Sequence, residues 1–287
     1  MARYSGAMVA VLAGWMVLAC GAAMAEPDLK KPDPGLQERV DAAMRRQPEM
    51  VARAVEKLQP QRPGIRDIYF IGVAGWGDQD VFRKEVRAVR AQMEKDYGAK
   101  GRAVSLVNHA RTLDAVPLAT RETIEATVMA VAGIMDPQED ILVMFLTSHG
   151  ASWEGFSLAL NGTDLGRLRS PQLARILGAS RIRNRVVIVS ACYSGQFVPA
   201  LAEENTLLIT AAASDRSSFG CTSGAEWTWF GQAYFRDSLP KHHRFAPAFD
   251  AARKLIERRE SKEGFKPSNP QIRVGTNIRA VLDELGL

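Results

Sequence analysis

A chain of 287 residues, 46% hydrophobic and 24% charged, has ordinary globular composition, with enough apolar residues for one good-sized core. The net charge of +5 is modest, and the 37 basic residues are scattered with no run of aromatics among them. They read as solvated helix faces, which excludes a nucleic-acid footprint.

The N-terminus is read apart from the fold. Arg3 gives a positive start, residues 7–19 form a short apolar stretch, and Ala23-Met24-Ala25 is a small-x-small cleavage site. Residues 1–25 are therefore expected to be a secretory signal peptide, too short in its apolar part for a membrane span. The mature protein would be periplasmic or secreted. Val17-Leu18-Ala19-Cys20 also loosely fits a bacterial lipoprotein cleavage box, although Leu18 is unusual in it. The alternative is thus a lipid anchor at Cys20 and an outer-membrane lipoprotein. Cleavage at either site leaves Cys192 and Cys221 in the mature chain.

Residues 26–35 are rich in Pro, Asp and Lys and read as a linker. Residues 36–58 have helical apolar spacing broken by Pro48, and residues 59–64 are a second linker. The expected division is a linker and N-terminal helical segment over residues 26–64, then one domain over residues 65–287. That domain opens with a strand at 67–73, a Gly-rich loop at 74–80 and an amphipathic helix at 81–97. The glycines Gly72, Gly75 and Gly77 fall in the wrong order for a dinucleotide fingerprint, and no P-loop Lys follows. No cofactor is expected.

A strand at 103–107 follows, then a helix from a Thr120 cap to Met135. Next come a strand at 141–146, a helix opening at Ser170-Pro171 and ending near Gly178, and a strand at 186–189. A strand at 207–211, a helix at 247–260 and a last strand at 271–274 complete the pattern. Strand and helix alternate throughout, so the fold class is α/β with a mainly parallel sheet and helices on both faces. No repeat of solenoid length is visible.

Two apolar runs end in chemistry. Ile141 to Leu146 is followed by Thr147-Ser148-His149-Gly150, and Val186 to Val189 by Ser190-Ala191-Cys192-Tyr193-Ser194-Gly195. In open α/β sheets the strand ends are where ligands bind. A single crossover between the two runs places His149 and Cys192 on neighbouring parallel strands at one edge. A thiol near an imidazole is the minimal unit of nucleophilic cysteine catalysis, with Cys192 as nucleophile and His149 as base. The Gly150 and Cys192 N–H groups can face a developing oxyanion, worth roughly 3–4 kcal/mol of barrier. The tandem His242-His243 reads as a solvated loop, and no cluster has metal-site spacing.

The His-Gly and Ala-Cys-x-Ser-Gly motifs resemble those of the legumain-like cysteine peptidases, a family that includes asparaginyl endopeptidases and the catalytic subunit of the glycosylphosphatidylinositol transamidase. The resemblance implies a caspase-like three-layer sandwich and a peptide or protein substrate. It implies a residue after the first strand that orients His149; in the Trp76 to Asp80 loop this is Asp80, with Asp78 behind it. It also implies a specificity pocket. Arg83 matches the family's arginine, Ser217 and Ser218 its second wall, and Glu226 before Trp227 its acidic element. One guanidinium and one carboxylate suit the carboxamide of Asn, and Asp when protonated. The chain departs from the family at Lys84, at Glu226 and in a longer stretch over 220–225. The expected activity is endopeptidase cleavage after Asn or Asp through an acyl-enzyme. Alternatives are a transpeptidase, a basic-residue-specific peptidase like clostripain, or a non-catalytic binding protein on the same fold. A Cys192–Cys221 disulfide would favour the last, whereas catalysis needs Cys192 free.

Overall fold

The computed structural model describes residues 30–287. The expected signal peptide and Cys20 lie outside the described residues. Two helices come first, α1 (Pro34–Arg45) and α2 (Gln47–Glu56). Asp33 caps α1 by accepting from Leu36 N at 2.7 Å. Pro48 falls in the first turn of α2, where its missing N–H breaks no helical bond. Val40 and Ala43 of α1 bury against Leu113, Leu118 and Leu160, so this segment packs on the domain that follows it.

The remaining elements are β1 (Ile68–Ala74), α3 (Asp80–Asp96), β2 (Ala103–Val107), α4 (Arg121–Ala132), β3 (Ile141–Thr147), β4 (Gly150–Ala151), β5 (Gly155–Leu160) and β6 (Thr163–Leu168). They continue with α5 (Ser170–Ser180), β7 (Asn184–Ser190), α6 (Val198–Leu201), β8 (Thr206–Thr210), α7 (Trp229–Gly231), α8 (Leu239–His242), α9 (Phe245–Glu263), β9 (Gln271–Val274) and α10 (Thr276–Glu284). A π-helical stretch, Gln232–Ser238, joins α7 to α8.

The main sheet has six strands in the order β2-β1-β3-β7-β8-β9. All neighbouring pairs are parallel except β8 with β9. Period-two alternation divides each central strand between two cores. On one face Phe70, Val143, Phe145, Ile188 and Ile209 pack with α3 and α9 residues such as Phe82, Val86 and Phe249. On the other, Ile71, Leu142, Met144, Leu146 and Val187 pack with Ile124, Val128, Leu173 and Leu177 of α4 and α5. Burial on both faces explains the unbroken apolar runs of β3 and β7. The architecture is therefore the three-layer sandwich expected. β4, β5 and β6 form a separate antiparallel sheet. The sequence pattern did not reveal that sheet or the helical run from Trp229 to His242.

Candidate active site

β3 and β7 run parallel in register, with Thr147 opposite Ser190. Two residues beyond, His149 and Cys192 leave the sheet at one edge on adjacent strands. Ser148 N donates to Ser190 O at 3.2 Å and holds the two exits together. Both residues border one cavity of about 560 Å³. Cys192 sits on a tight turn. Tyr193 adopts φ 57, a left-handed conformation uncommon for a non-glycine residue, and its N–H donates to Arg216 O at 2.7 Å. Ser218 N donates to Cys192 Sγ at 3.3 Å, and the thiol donates to Ser218 O at 3.4 Å.

His149 is held by aromatic edges and an amide. Trp76 and Phe82 meet its ring nearly at right angles, with centroids 4.9 and 5.2 Å away. Nε2 lies 2.6 Å from Gln79 Oε1. An amide oxygen only accepts, so this contact selects the Nε2–H tautomer and leaves the lone pair on Nδ1. Burial lowers the His149 pKa from 6.5 to about 4, so the ring is neutral near pH 7.

The residue against His149 is thus Gln79, where Asp80 was expected. Asp80 begins α3, and its carboxylate accepts from Arg83 Nε at 2.7 Å and His109 Nε2 at 3.1 Å. The Arg83 bond chiefly holds the Asp80 carboxyl below its usual range. Asp78 accepts from Asn161 N and Gly162 N, at 2.9 and 3.0 Å, and braces the β5–β6 turn. Gln79, still extended before the helix, has the reach that the helical Asp80 lacks.

Gly150 also borders the cavity. A Cβ there would collide with the Cys192 carbonyl oxygen and lie 3.2 Å from Ala191 Cβ, so the two strand exits approach only because this position has no side chain.

Ser217 and Ser218 line the cavity, whereas Arg83 and Glu226 do not. Asp80, three residues earlier, occupies the Arg83 guanidinium. Glu226 is 70% exposed in its side chain and pairs with Lys84 Nζ at 2.6 Å. The expected pair is held apart because each charge has a nearer partner. Cys221 borders the same cavity, and both Cys192 and Cys221 are free thiols. Burial pushes the Cys221 thiol well above its ordinary pKa.

Beneath the site lies Glu85 of α3, fully buried. It accepts from Thr147 Oγ1 at 2.6 Å, from Thr228 N at 2.7 Å and from Thr228 Oγ1 at 2.7 Å. Ser190 Oγ is 3.5 Å from Thr228 Oγ1. One carboxyl therefore ties the ends of β3 and β7 to the start of α7. Burial raises its pKa, opposed by these donors.

With the strand-end thiol and imidazole in place, the comparisons decide the family. The model of the peptidase C13 family matches residues 121–280. The chain belongs to that family, the legumain family. The matched stretch contains His149 and Cys192 but begins after Gln79, Asp80 and Arg83. Among solved structures, caspase-1 from Spodoptera frugiperda is similar in fold, with a TM-score of 0.52, 13% identity, and coverage of 75% of this chain and 90% of that one. No curated protein sequence matches. Family and fold together make this chain a cysteine peptidase.

For this C13 peptidase, sequence reasoning missed Gln79, Glu85 and the aromatic cavity wall described below. Glu85 left a readable signal. It lies on the α3 face carrying Val81, Phe82, Val86 and Val89, where a carboxylate needs buried partners. Gln79 left none, because an amide in a polar loop has many equivalent uses.

Proposed function

We propose that Cys192 and His149 form the catalytic dyad of an endopeptidase. His149 Nδ1 takes the thiol proton, and the thiolate attacks the substrate carbonyl carbon. The oxyanion forms near the Gly150 and Cys192 N–H groups. The imidazolium returns its proton to the leaving amine, which departs as the thioester forms. Water then adds to the thioester, with His149 again as base, and releases the acid and the thiol. An amine in place of water would give ligation through the same acyl-enzyme. The reading rests on one observation: an oriented imidazole and a free thiol border one cavity from adjacent strand ends. The leader-like residues 1–25 support export of this activity.

An Asn or Asp preference depended on Arg83 and Glu226, and neither reaches the cavity, so that preference is not part of the proposal. Cys192→Ala and His149→Ala test the dyad on a fluorescently labelled denatured protein. Each should lower kcat/KM by at least about 1000-fold with the melting temperature little changed. Full activity in Cys192→Ala would overturn the assignment.

A further inference from the structure

We infer that the cavity beside Cys192 receives an apolar side chain of the substrate, aromatic or long aliphatic, from a position flanking the scissile bond. The inference rests on the peptidase reading and names the substrate class of that site. Its wall is a cluster of three aromatic rings. Phe219 meets Trp229 at 5.3 Å between centroids and Phe265 at 4.5 Å, and Trp229 meets Phe265 at 5.4 Å. All three border the cavity with Cys192 and His149.

The wall is built before substrate arrives. Trp229 N donates to Phe219 O at 3.0 Å, which clasps the loop between them. Gly220 has φ +90, and a Cβ there would sit 2.5 Å from Trp229 Cδ1, so the loop backbone lies directly on the indole. The Arg259 guanidinium stacks 4.0 Å from the Trp229 ring centroid and backs it. Thr228, just before Trp229, is fixed by Glu85. The same carboxyl therefore sets both the strand ends and the wall.

What the cavity lacks is equally telling. No charged side chain borders it among the described residues. A substrate carboxylate or ammonium would lose its hydration there without a partner. The polar groups nearest the chemistry are already engaged, Gln79 by His149 and the Ser218 backbone by Cys192. An Asn carboxamide would find the hydroxyls of Ser152, Ser217 and Thr222 but no charged partner. Phe265 remains 42% exposed although packed on two rings, and an apolar side chain in the cavity would cover it. A volume of about 560 Å³ lies within the roughly 300–1,000 Å³ of sites that enclose a ligand.

The test uses peptide acyloxymethyl ketones that carry Phe, Leu, Asn, Asp or Lys beside the warhead, and a second set varied one residue further away. The rate of Cys192 modification is read by intact mass. Phe or Leu in one of the two positions should react at least about tenfold faster than Asn, Asp or Lys there. Phe265→Ala should narrow that ratio toward one, and Phe265→Leu should restore most of it. Asn, Asp or Lys reacting fastest at both positions, with modification still dependent on His149, would overturn the inference and leave the peptidase reading standing. Equal rates for every probe, unaffected by His149→Ala, would overturn the peptidase reading as well.

Discussion

The two edges of the main sheet are built on opposite plans. At the edge where the parallel strands begin, polar residues form a row across β2, β1, β3 and β7. Arg102 pairs with Asp67 at 3.3 Å, and Arg62 adds a second cation at 2.7 Å. Asp67 N donates to Asp140 Oδ1 at 2.7 Å, and Asp136 N donates to Asp140 Oδ2 at 2.8 Å. Asn184 at the start of β7 donates to Glu139 O at 3.1 Å. At the edge where the strands end, the buried carboxyl is Glu85, served by neutral donors. The imidazole there is neutral, the thiol is free, and a cavity stands open. One edge pairs a buried carboxylate with two cations and serves stability. The other holds an oriented imidazole and a free thiol beside an open cavity, the condition from which proton transfer and attack proceed.

The largest effect that tests this contrast is Gly150→Ala. The added Cβ must push the Gly150 backbone away from the Cys192 carbonyl and spread the two strand exits. A displacement near 1 Å should lower kcat/KM by about 100-fold or more. Wild-type activity in this variant would show that the exits tolerate separation and that the open edge is not tightly built.

A paired substitution sharpens the contrast. Asp67→Ala removes the buried anion between Arg62 and Arg102 and should cost roughly 3–5 kcal/mol of unfolding free energy, with kcat/KM of the folded fraction unchanged. Glu85→Ala strands three donors and should cost about 3 kcal/mol, while also lowering kcat/KM roughly tenfold. Urea midpoints and rates normalised to titratable Cys192 would separate the two. If Glu85→Ala moved stability alone, the two edges would not differ in kind.

The most gradual expected effect is with pH. His149 has a pKa of about 4 in the folded protein against 6.5 as the ordinary value. The unfolded chain binds the proton first, so folded stability falls as pH drops from 6.5 toward 4 and is insensitive to this group above 6.5. The slope contributed is at most about 1.4 kcal/mol per pH unit. His149→Gln should remove that slope. The acid limb of kcat/KM due to His149 should likewise lie near pH 4. An NMR titration midpoint for His149 near 6.5 would show that burial does not lower its pKa and would weaken the contrast directly.

Much of the frame was legible in the residues. The unbroken apolar runs of β3 and β7 marked strands buried on both faces, and the small residues after them marked the edge where His149 and Cys192 emerge. Thr120 before a helical run marked a cap, and Thr123 N donates to Thr120 Oγ1 at 3.2 Å. These features depend on periodicity and on local backbone chemistry, which a chain carries in its order. Tertiary neighbours decided the rest. Asp80 and Gln79 are adjacent and both polar, and only the start of α3 determines which one reaches the imidazole. Arg83 and Glu226 could have met, but Asp80 and Lys84 lie nearer. The reversed direction of β9 and the meeting of Phe219, Trp229 and Phe265 follow from how distant loops return to the sheet. Charges choose partners by distance in space, and aromatic rings cluster by what the core leaves uncovered, so neither choice is written in local sequence.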